Sequence, residues 1–405
     1  MLLKNALILI DGILAPRDVL IDDDGVIVSI GENLVGENAL DLTGLWLMPS
    51  AVDVHVHLRE PGYEYKETIL SGTMASAKGG VGAIMPMPNL NPCPDSVANL
   101  KVQTDIIERD AVVKCYPFAS VTVGENGKEL SDLQNLAPLV KAFTDDGKGV
   151  NNLDLLKKAM IIAKNNDIVI ASHAEAENLG TSREAEIVAV KRETELAKEV
   201  GVKYHFCHIS TLDAYEVVRQ AKKDGYDITV EACPHHLLLC DEDVKDGNTK
   251  MNPPLRPRSD MLATIDALLD GTVDMLATDH APHAKSEKGE YAKSLNGIIG
   301  LETFLPSIYT HFVKTGKISK ERFIELVSTA PAKRFGLPVP KLAVGEKANL
   351  CALDINNAHV YTEEEILSLS KNSPFIGYEF YGFNKLTLVD GKIKYTQLTM
   401  ENENE

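Results

Sequence analysis

One short apolar run ends Asp53-Val54-His55-Val56-His57, and the two-residue pleat of a β-strand puts both imidazoles on the same side of the chain. Two imidazoles so placed can chelate one metal ion. Three further runs finish on comparable groups, at Ala171-Ser172-His173, Phe206-Cys207-His208 and Ala277-Thr278-Asp279-His280. A lone histidine at a strand end is more often structural, but several at equivalent ends make a ligand set. Imidazole and carboxylate donors without thiolate suit zinc, and two ions can share them if one group bridges. The segment Lys141-Ala142-Phe143-Thr144-Asp145-Asp146-Gly147 offers either the Asp146 carboxylate or a carbamylated Lys141 for that bridge, with Asp145 as a supporting or turn residue.

These groups converge only if their strands do. Eight β-type runs alternate with helical stretches: Val52 to His57, Val81 to Met87, Val112 to Ala119, Leu139 to Thr144, Ile168 to His173, Lys203 to His208, Asp227 to Cys233 and Val273 to Thr278. Asn152 to Asn165 and Ser182 to Val200 have helical composition between them. The spacing predicts an α/β fold with a closed (β/α)8 TIM barrel, in which catalytic groups project from the C-terminal strand ends. Shorter β runs precede it (Ala6 to Ile10, Val19 to Ile21, Val26 to Ile30) and follow it (Ala348 to Leu353, Lys385 to Tyr395), so the two chain ends are expected to pair into one small sheet. The expected division is 1–48 and 341–405 for the two parts of that β domain and 49–340 for the barrel, with a polar, frayed tail at Glu401 to Glu405.

The 405 residues are 44% hydrophobic, enough for a barrel-sized core and a smaller domain. A net charge of -18 speaks against nucleic acid or an anionic membrane as partner, while leaving room for a small anion in a local basic pocket. The six cysteines show no CxxC spacing and read as buried reduced thiols. No segment approaches the roughly 18 apolar residues of a spanning helix, and Met1 to Leu14 reads as strand and turn rather than as a signal peptide, so a cytoplasmic location is expected.

Asp53-Val54-His55-Val56-His57-Leu58-Arg59-Glu60-Pro61-Gly62 resembles the DxHxHLREPG signature of dihydroorotases, in the metal-dependent amidohydrolase superfamily. Asn252-Pro253-Pro254-Leu255-Arg256 and Ala277-Thr278-Asp279-His280-Ala281-Pro282-His283 resemble two further signatures, and the similarity extends to Met85 to Asn89, Pro234-His235-His236-Leu237 and Asn372-Ser373-Pro374-Phe375. The resemblance implies that His55, His57 and Asp279 hold one zinc, that His173 and His208 hold a second, and that Asp146 bridges them as in a bacterial branch of the family. It implies two zinc ions per subunit with a bridging hydroxide. Substrate contacts are implied at His57, Arg59, Asn89, Asn252 and His283, with a loop at Asn296 and Gly297 closing over a pyrimidine ring. Hydroxide attack on an amide carbonyl, with Asp279 as general base and then general acid, would interconvert dihydroorotate and N-carbamoyl-L-aspartate. A homodimer or an association with aspartate carbamoyltransferase is the expected assembly.

His205 is expected to point away from the metal, His235 and His236 to be structural, and His280 to orient Asp279; His311 and His359 carry no signal. Gly79-Gly80-Val81-Gly82 precedes a strand and reads as a tight turn rather than a phosphate loop. The acidic stretch Glu193 to Glu199 reads as a solvated helix face. Two rivals stand beside this reading. One is another cyclic-amide hydrolase (dihydropyrimidinase, hydantoinase or allantoinase), against which Arg59 counts because it supplies a cation for a substrate carboxylate. The other is an inactive scaffold, which should have lost metal ligands.

Overall fold

Residues 1–399 are described by the computed structural model, and the stretch Glu401 to Glu405 lies outside them. Eight parallel strand segments run in order around a barrel: Ala51–Val56, Val81–Pro86, Lys114–Cys115 with Ala119–Ser120, Ala142–Thr144, Val169–Ser172, Tyr204–Phe206, Ile228–Ala232 and Met275–Leu276. The third run is split where Pro117 stands, since proline has no N–H to give a ladder. Closure comes from a parallel bridge between Val56 and His280, where the His57 N–H donates to the His280 carbonyl at 2.8 Å. The eighth strand is shorter than its sequence run, and three residues beyond its end Asp279, at φ 50°, is outside strand geometry.

Helix ends follow local chemistry. Asn152 caps Leu153–Asn165 by accepting from the N–H groups of Asp154 and Leu155, and Ser182 caps Arg183–Val200 by accepting from Ala185. Gly201, at φ 72°, closes the latter helix in the left-handed region where a Cβ is costly. Gly79 and Gly80 join the helix Ile69–Lys78 to the second barrel strand as a turn, as the sequence suggested.

The chain ends do pair. Leu45–Pro49 and Leu350–Asp354 run antiparallel, with Trp46 opposite Leu353, inside an eight-stranded sheet that also holds Leu2–Ile10, Ile13–Ile21, Ile27–Gly31, Ala39–Asp41, Phe383–Val389 and Lys392–Thr396. Only Ser50 separates this sheet from the first barrel strand. Between 361 and 380 the chain leaves the sheet and covers the barrel mouth, where Tyr361, Ile366, Phe375 and Phe380 pack with Leu239, Met251, Leu255 and Ile298.

Inside the barrel, Val52, Val54, Met85, Phe118, Ala142, Val169, Ala171, Cys207, Met275 and Ala277 form an apolar floor plugged by Phe335 and Leu337. His55 and His57 turn into the mouth above it. The register between the first two strands slips between Asp53 (opposite Ile84) and Val56 (opposite Pro86), the kind of irregularity that re-aims side chains beside functional sites. All six cysteines are free, and Cys207, Cys233, Cys240 and Cys351 are buried. Among the described residues no helix is long and apolar enough to cross a membrane.

Trp46, the chain's single tryptophan, is fully buried between sheet and barrel, 6.1 Å from the Tyr309 ring and 5.8 Å from Phe323. Trp46→Ala is expected to cost about 3–5 kcal/mol, read as a lower urea midpoint, while Trp46→Phe should cost less than half of that.

Candidate metal centre

Asp146 lies just beyond the fourth strand with imidazoles on both sides of its carboxylate. His55 Nε2 is 3.4 Å from Asp146 Oδ1 and His57 Nε2 is 3.5 Å from Oδ2. On the other flank His208 Nε2 and His173 Nδ1 are 3.5 Å and 3.8 Å from Oδ1 and 3.1 Å from each other. Asp279 Oδ1 closes the first pair, 3.4 Å from His55 Nε2 and 3.2 Å from His57 Nε2. The donors therefore fall into two groups, His55 with His57 and His173 with His208, that share Asp146, and every member is buried.

Such a set fits divalent cations. His55 Nε2 and Asp146 Oδ1 are buried without a hydrogen-bond partner, which is costly unless something else occupies their lone pairs. Burial alone would raise the Asp146 carboxyl; the charge of His55, then His208 and His57, outweighs it and holds the group well below the usual carboxylate range. Burial opposes ionisation of Asp279 too, and His55, His57 and His208 again keep it ionised. Burial pushes the His55 imidazole down, but Asp146 and Glu231 raise it well above its ordinary value. Carboxylates that favour protons on these rings favour a cation equally, and binding one displaces the protons. Lys141 is exposed, just before its strand, while Asp146 is the residue of this segment found in the donor groups.

The other candidate residues ring the same mouth. Arg59 sits in a cleft of about 650 Å³ with Lys66, Asn89, Glu125 and Lys148. Its Nε donates to the Pro282 carbonyl at 3.2 Å, and its Nη2 is 3.5 Å from His283 Nε2. Asn89 donates to the Asp146 carbonyl at 2.7 Å and to Glu125 at 2.9 Å. Asn252 Nδ2 is 3.1 Å from His173 Nε2 and donates to Glu175 at 3.0 Å. Asn296 is exposed but its carbonyl meets His283 Nε2 at 2.7 Å, and Gly297 is buried, its carbonyl held by Asn372 at 3.0 Å. A Cβ on Gly297 would come within 2.6 Å of the Ala281 carbonyl oxygen, so only glycine fits that approach.

Residues 44–186 match the model of the Dihydro-orotase-like family. Curated relatives named dihydroorotase include one from a Geobacillus species (strain WCH70), 41% identical over 95% of each chain. Another, from Fusobacterium nucleatum, is 40% identical over 98% of each, and one from Staphylococcus aureus is 40% identical over 97% of this chain and 99% of its own. The chain belongs to the dihydroorotase family. Its fold matches the L-hydantoinase (dihydropyrimidinase) of Arthrobacter aurescens at a TM-score of 0.89 with 25% identity, over 99% of this chain and 97% of that one. The dihydropyrimidinase of Brevibacillus agri superposes at 0.86 with 22% identity, over 98% and 96% of the two chains. Dihydroorotase and hydantoinase sequences thus share one barrel scaffold.

In this dihydroorotase-family chain the residues that brace the cluster were mostly invisible in the sequence. Glu231, on the seventh strand, takes His55 Nδ1 at 2.7 Å with one oxygen and His205 Nε2 at 3.0 Å with the other. His205 stays out of the metal-binding groups and packs, as expected, against Phe335 at 5.3 Å and beside Thr229 Oγ1 at 2.8 Å, but its ring lies inside the barrel and not on the opposite face. The offset argument failed because His208, at φ 31°, has already left strand geometry, so alternation does not carry from 205 to 208. Burial raises Glu231, but His55 and His205 bring it down to about 2, so it stays ionised.

Asp53 ties the first strand to the eighth, accepting from Thr278 N–H at 3.1 Å and Thr278 Oγ at 2.5 Å. Asp145 braces the third strand by accepting from the Val121 and Thr122 N–H groups at 2.8 and 3.0 Å. Glu193 is not solvated; it is fully buried and accepts from Ser172 at 2.6 Å and Tyr204 at 2.9 Å. His280 points to Glu67 at 3.4 Å rather than to Asp279. His236 bonds the Pro253 carbonyl at 3.0 Å, and burial pushes His235 down to about 4, so both are neutral core imidazoles.

A histidine ligand held at its far nitrogen by a carboxylate binds metal more tightly. Glu231→Gln is therefore expected to weaken metal retention about 10- to 100-fold, read by dialysis against a competing chelator with metal analysis. Retention at the wild-type level would remove Glu231 from that role.

Proposed function

We propose that this chain interconverts dihydroorotate and N-carbamoyl-L-aspartate in the cytoplasm, with two zinc ions at the His55, His57, Asp279 and His173, His208 groups and Asp146 between them. The observation that carries the substrate is Arg59, a cation fixed beside His283 at the lip of the cluster. Dihydropyrimidines and hydantoins need no such partner, whereas dihydroorotate brings a carboxylate that a guanidinium can grip with two parallel N–H bonds. Whole-length relationship to curated dihydroorotases supports the same substrate.

When bound, the metal pair supplies Lewis acidity and lowers the pKa of water towards ~7, so a nucleophile is available at neutral pH. This chain's residues do the rest. Arg59, Asn89, Asn252 and His283 orient the ring by its carboxylate and polar edges, and the Asn296-Gly297 loop covers it. Asp279, ionised and beside His57 at 3.2 Å, takes the proton of the attacking water and hands it to the ring nitrogen as the C–N bond breaks. In the reverse direction Asp279 receives the amide proton and returns it to the departing water. The barrel between about residues 49 and 340 is the catalytic unit in this proposal, the segments on either side forming the flanking β domain. A homodimer, or a complex with aspartate carbamoyltransferase, belongs to the same proposal and is measured by light scattering of the protein alone and mixed with that enzyme.

Ring opening assayed on dihydroorotate, dihydrouracil, hydantoin and allantoin should favour dihydroorotate; a preference for dihydrouracil would overturn the substrate. Protein purified without chelators should carry about two zinc ions per chain, and less than one together with no turnover would favour a scaffold. Asp279→Asn is expected to keep metal yet lose roughly 10²- to 10⁴-fold in kcat. Arg59→Met should act mainly on KM, and an unchanged KM would mean that the carboxylate binds elsewhere.

A further inference from the structure

His283 meets four groups at once. Its Nε2 is 2.7 Å from the Asn296 carbonyl oxygen and 3.5 Å from Arg59 Nη2; its Nδ1 is 3.3 Å from Lys66 Nζ and 3.2 Å from Glu287 Oε2. A ring nitrogen that close to a carbonyl oxygen carries the proton, because a carbonyl can only accept. Protonating Nδ1 as well would serve Glu287. Burial opposes the added charge, as do the cations Arg59 and Lys66, and together they bring the ring down to about 3. His283 is therefore neutral with its hydrogen on Nε2, and the Nδ1 lone pair is left to accept from the Lys66 ammonium. Glu287 is satisfied without the imidazole: its Oε1 pairs with Lys66 at 3.1 Å and accepts from Tyr65 at 3.0 Å, and its Oε2 accepts from the Ala284 N–H at 3.1 Å.

Lys66 is itself held for this task. It is buried, its carbonyl accepts from Ser370 Oγ at 2.7 Å, and its ammonium lies 5.6 and 5.5 Å from the centroids of Tyr63 and Tyr65. A buried ammonium kept among one carboxylate and two aromatic rings has few directions in which to donate, and the His283 nitrogen is one of them.

We propose that Lys66 is a positioning residue that sets the enzyme's specificity for carboxylated rings: by donating to Nδ1 it locks His283 in the tautomer whose Nε2–H stands beside Arg59 as a second donor for the substrate carboxylate. This rests on the reading that Arg59 and His283 receive that carboxylate. The opposite tautomer would aim a lone pair at the anion. In the structure the Nε2–H is taken by Asn296, so an arriving carboxylate competes with the loop's own carbonyl, and docking of the ring is coupled to the seating of the Asn296-Gly297 loop.

The test uses zinc-loaded wild-type, Lys66→Met and Lys66→Arg enzymes. Two readouts are taken: KM and kcat on dihydroorotate, and the His283 tautomer by long-range proton–nitrogen NMR, assigned with His283→Asn. Lys66→Met should raise KM roughly 10- to 100-fold, the range for losing a hydrogen bond to a charged group, with kcat and metal content little changed. Its His283 should pass to a mixture containing the Nδ1–H form bonded to Glu287, and Lys66→Arg should recover part of both. A wild-type proton on Nδ1, or an active Lys66→Met enzyme with wild-type KM and tautomer, overturns the role of Lys66 alone. A wild type inert on dihydroorotate overturns the functional reading and the specificity role with it, while the NMR measurement on the wild type still decides the tautomer.

Discussion

The structure depends on one electrostatic arrangement: Asp146 and Asp279, both buried and both ionised, surrounded by the four imidazoles of His55, His57, His173 and His208. Taking two carboxylates out of water is expensive, and only close, well-aimed positive partners repay it. A barrel meets that demand because its strand ends converge from different parts of the chain onto one ring, here with an apolar floor below that excludes water from beneath. The fourth strand lies beside the fifth, which ends at His173, and Asp146 just beyond it also comes within 3.4 and 3.5 Å of His55 and His57 from the first.

Holding six donors so close uses conformations that the chain would otherwise avoid. Arg59, His208 and Asp279 all have positive φ, at 61°, 31° and 50°, and each stands in or beside the donor cluster. Strain of this kind persists only where surrounding contacts over-determine it. Those contacts are the buried carboxylates beneath the mouth: Asp53 clamps the eighth strand before Asp279, Glu231 fixes His55 and receives the His208 N–H at 3.3 Å, and Glu193 anchors Ser172 beside His173. They act on the ligand-bearing residues from below, which is why they neither join the cluster nor could be exchanged for apolar residues without loosening it.

The flanking sheet and the mouth are connected through the chain's C-terminal part. Strands Leu350–Asp354 and Phe383–Val389 sit in the sheet, while the segment between them sends Ser368 and Leu369 to Glu67 and Asn372 to the carbonyls of Ala281 and Gly297. The loop that meets His283 is thus tied to residues far along the chain, so this side of the mouth is braced by a segment that leaves and re-enters the flanking sheet as well as by the barrel.

The alternation Asp53 to His57, the polar endings of the fifth, sixth and eighth β runs, and Asp146 after the fourth were legible because ligand chemistry and strand periodicity are local properties. So were the two helical stretches from Asn152 and from Ser182, because helix-forming composition is a local property too. The brace residues were not. Glu231 reads as one charge in a β run, and nothing within its neighbourhood in sequence says that it will face His55, 176 residues away; Glu193 has the composition of a solvated face and is buried because Ser172 and Tyr204 meet it across the barrel wall. His205 was placed on the opposite face by an alternation that the backbone departure at His208 breaks, and His280, read from its place beside Asp279, turns instead to Glu67. Which side chains can ligate, and at which strand ends they stand, is written in residue type and spacing alone. The tertiary structure decided which carboxylates stay ionised, how each imidazole is oriented and which lysine fixes His283, because those depend on burial and on partners brought together only when the ring of strands closes.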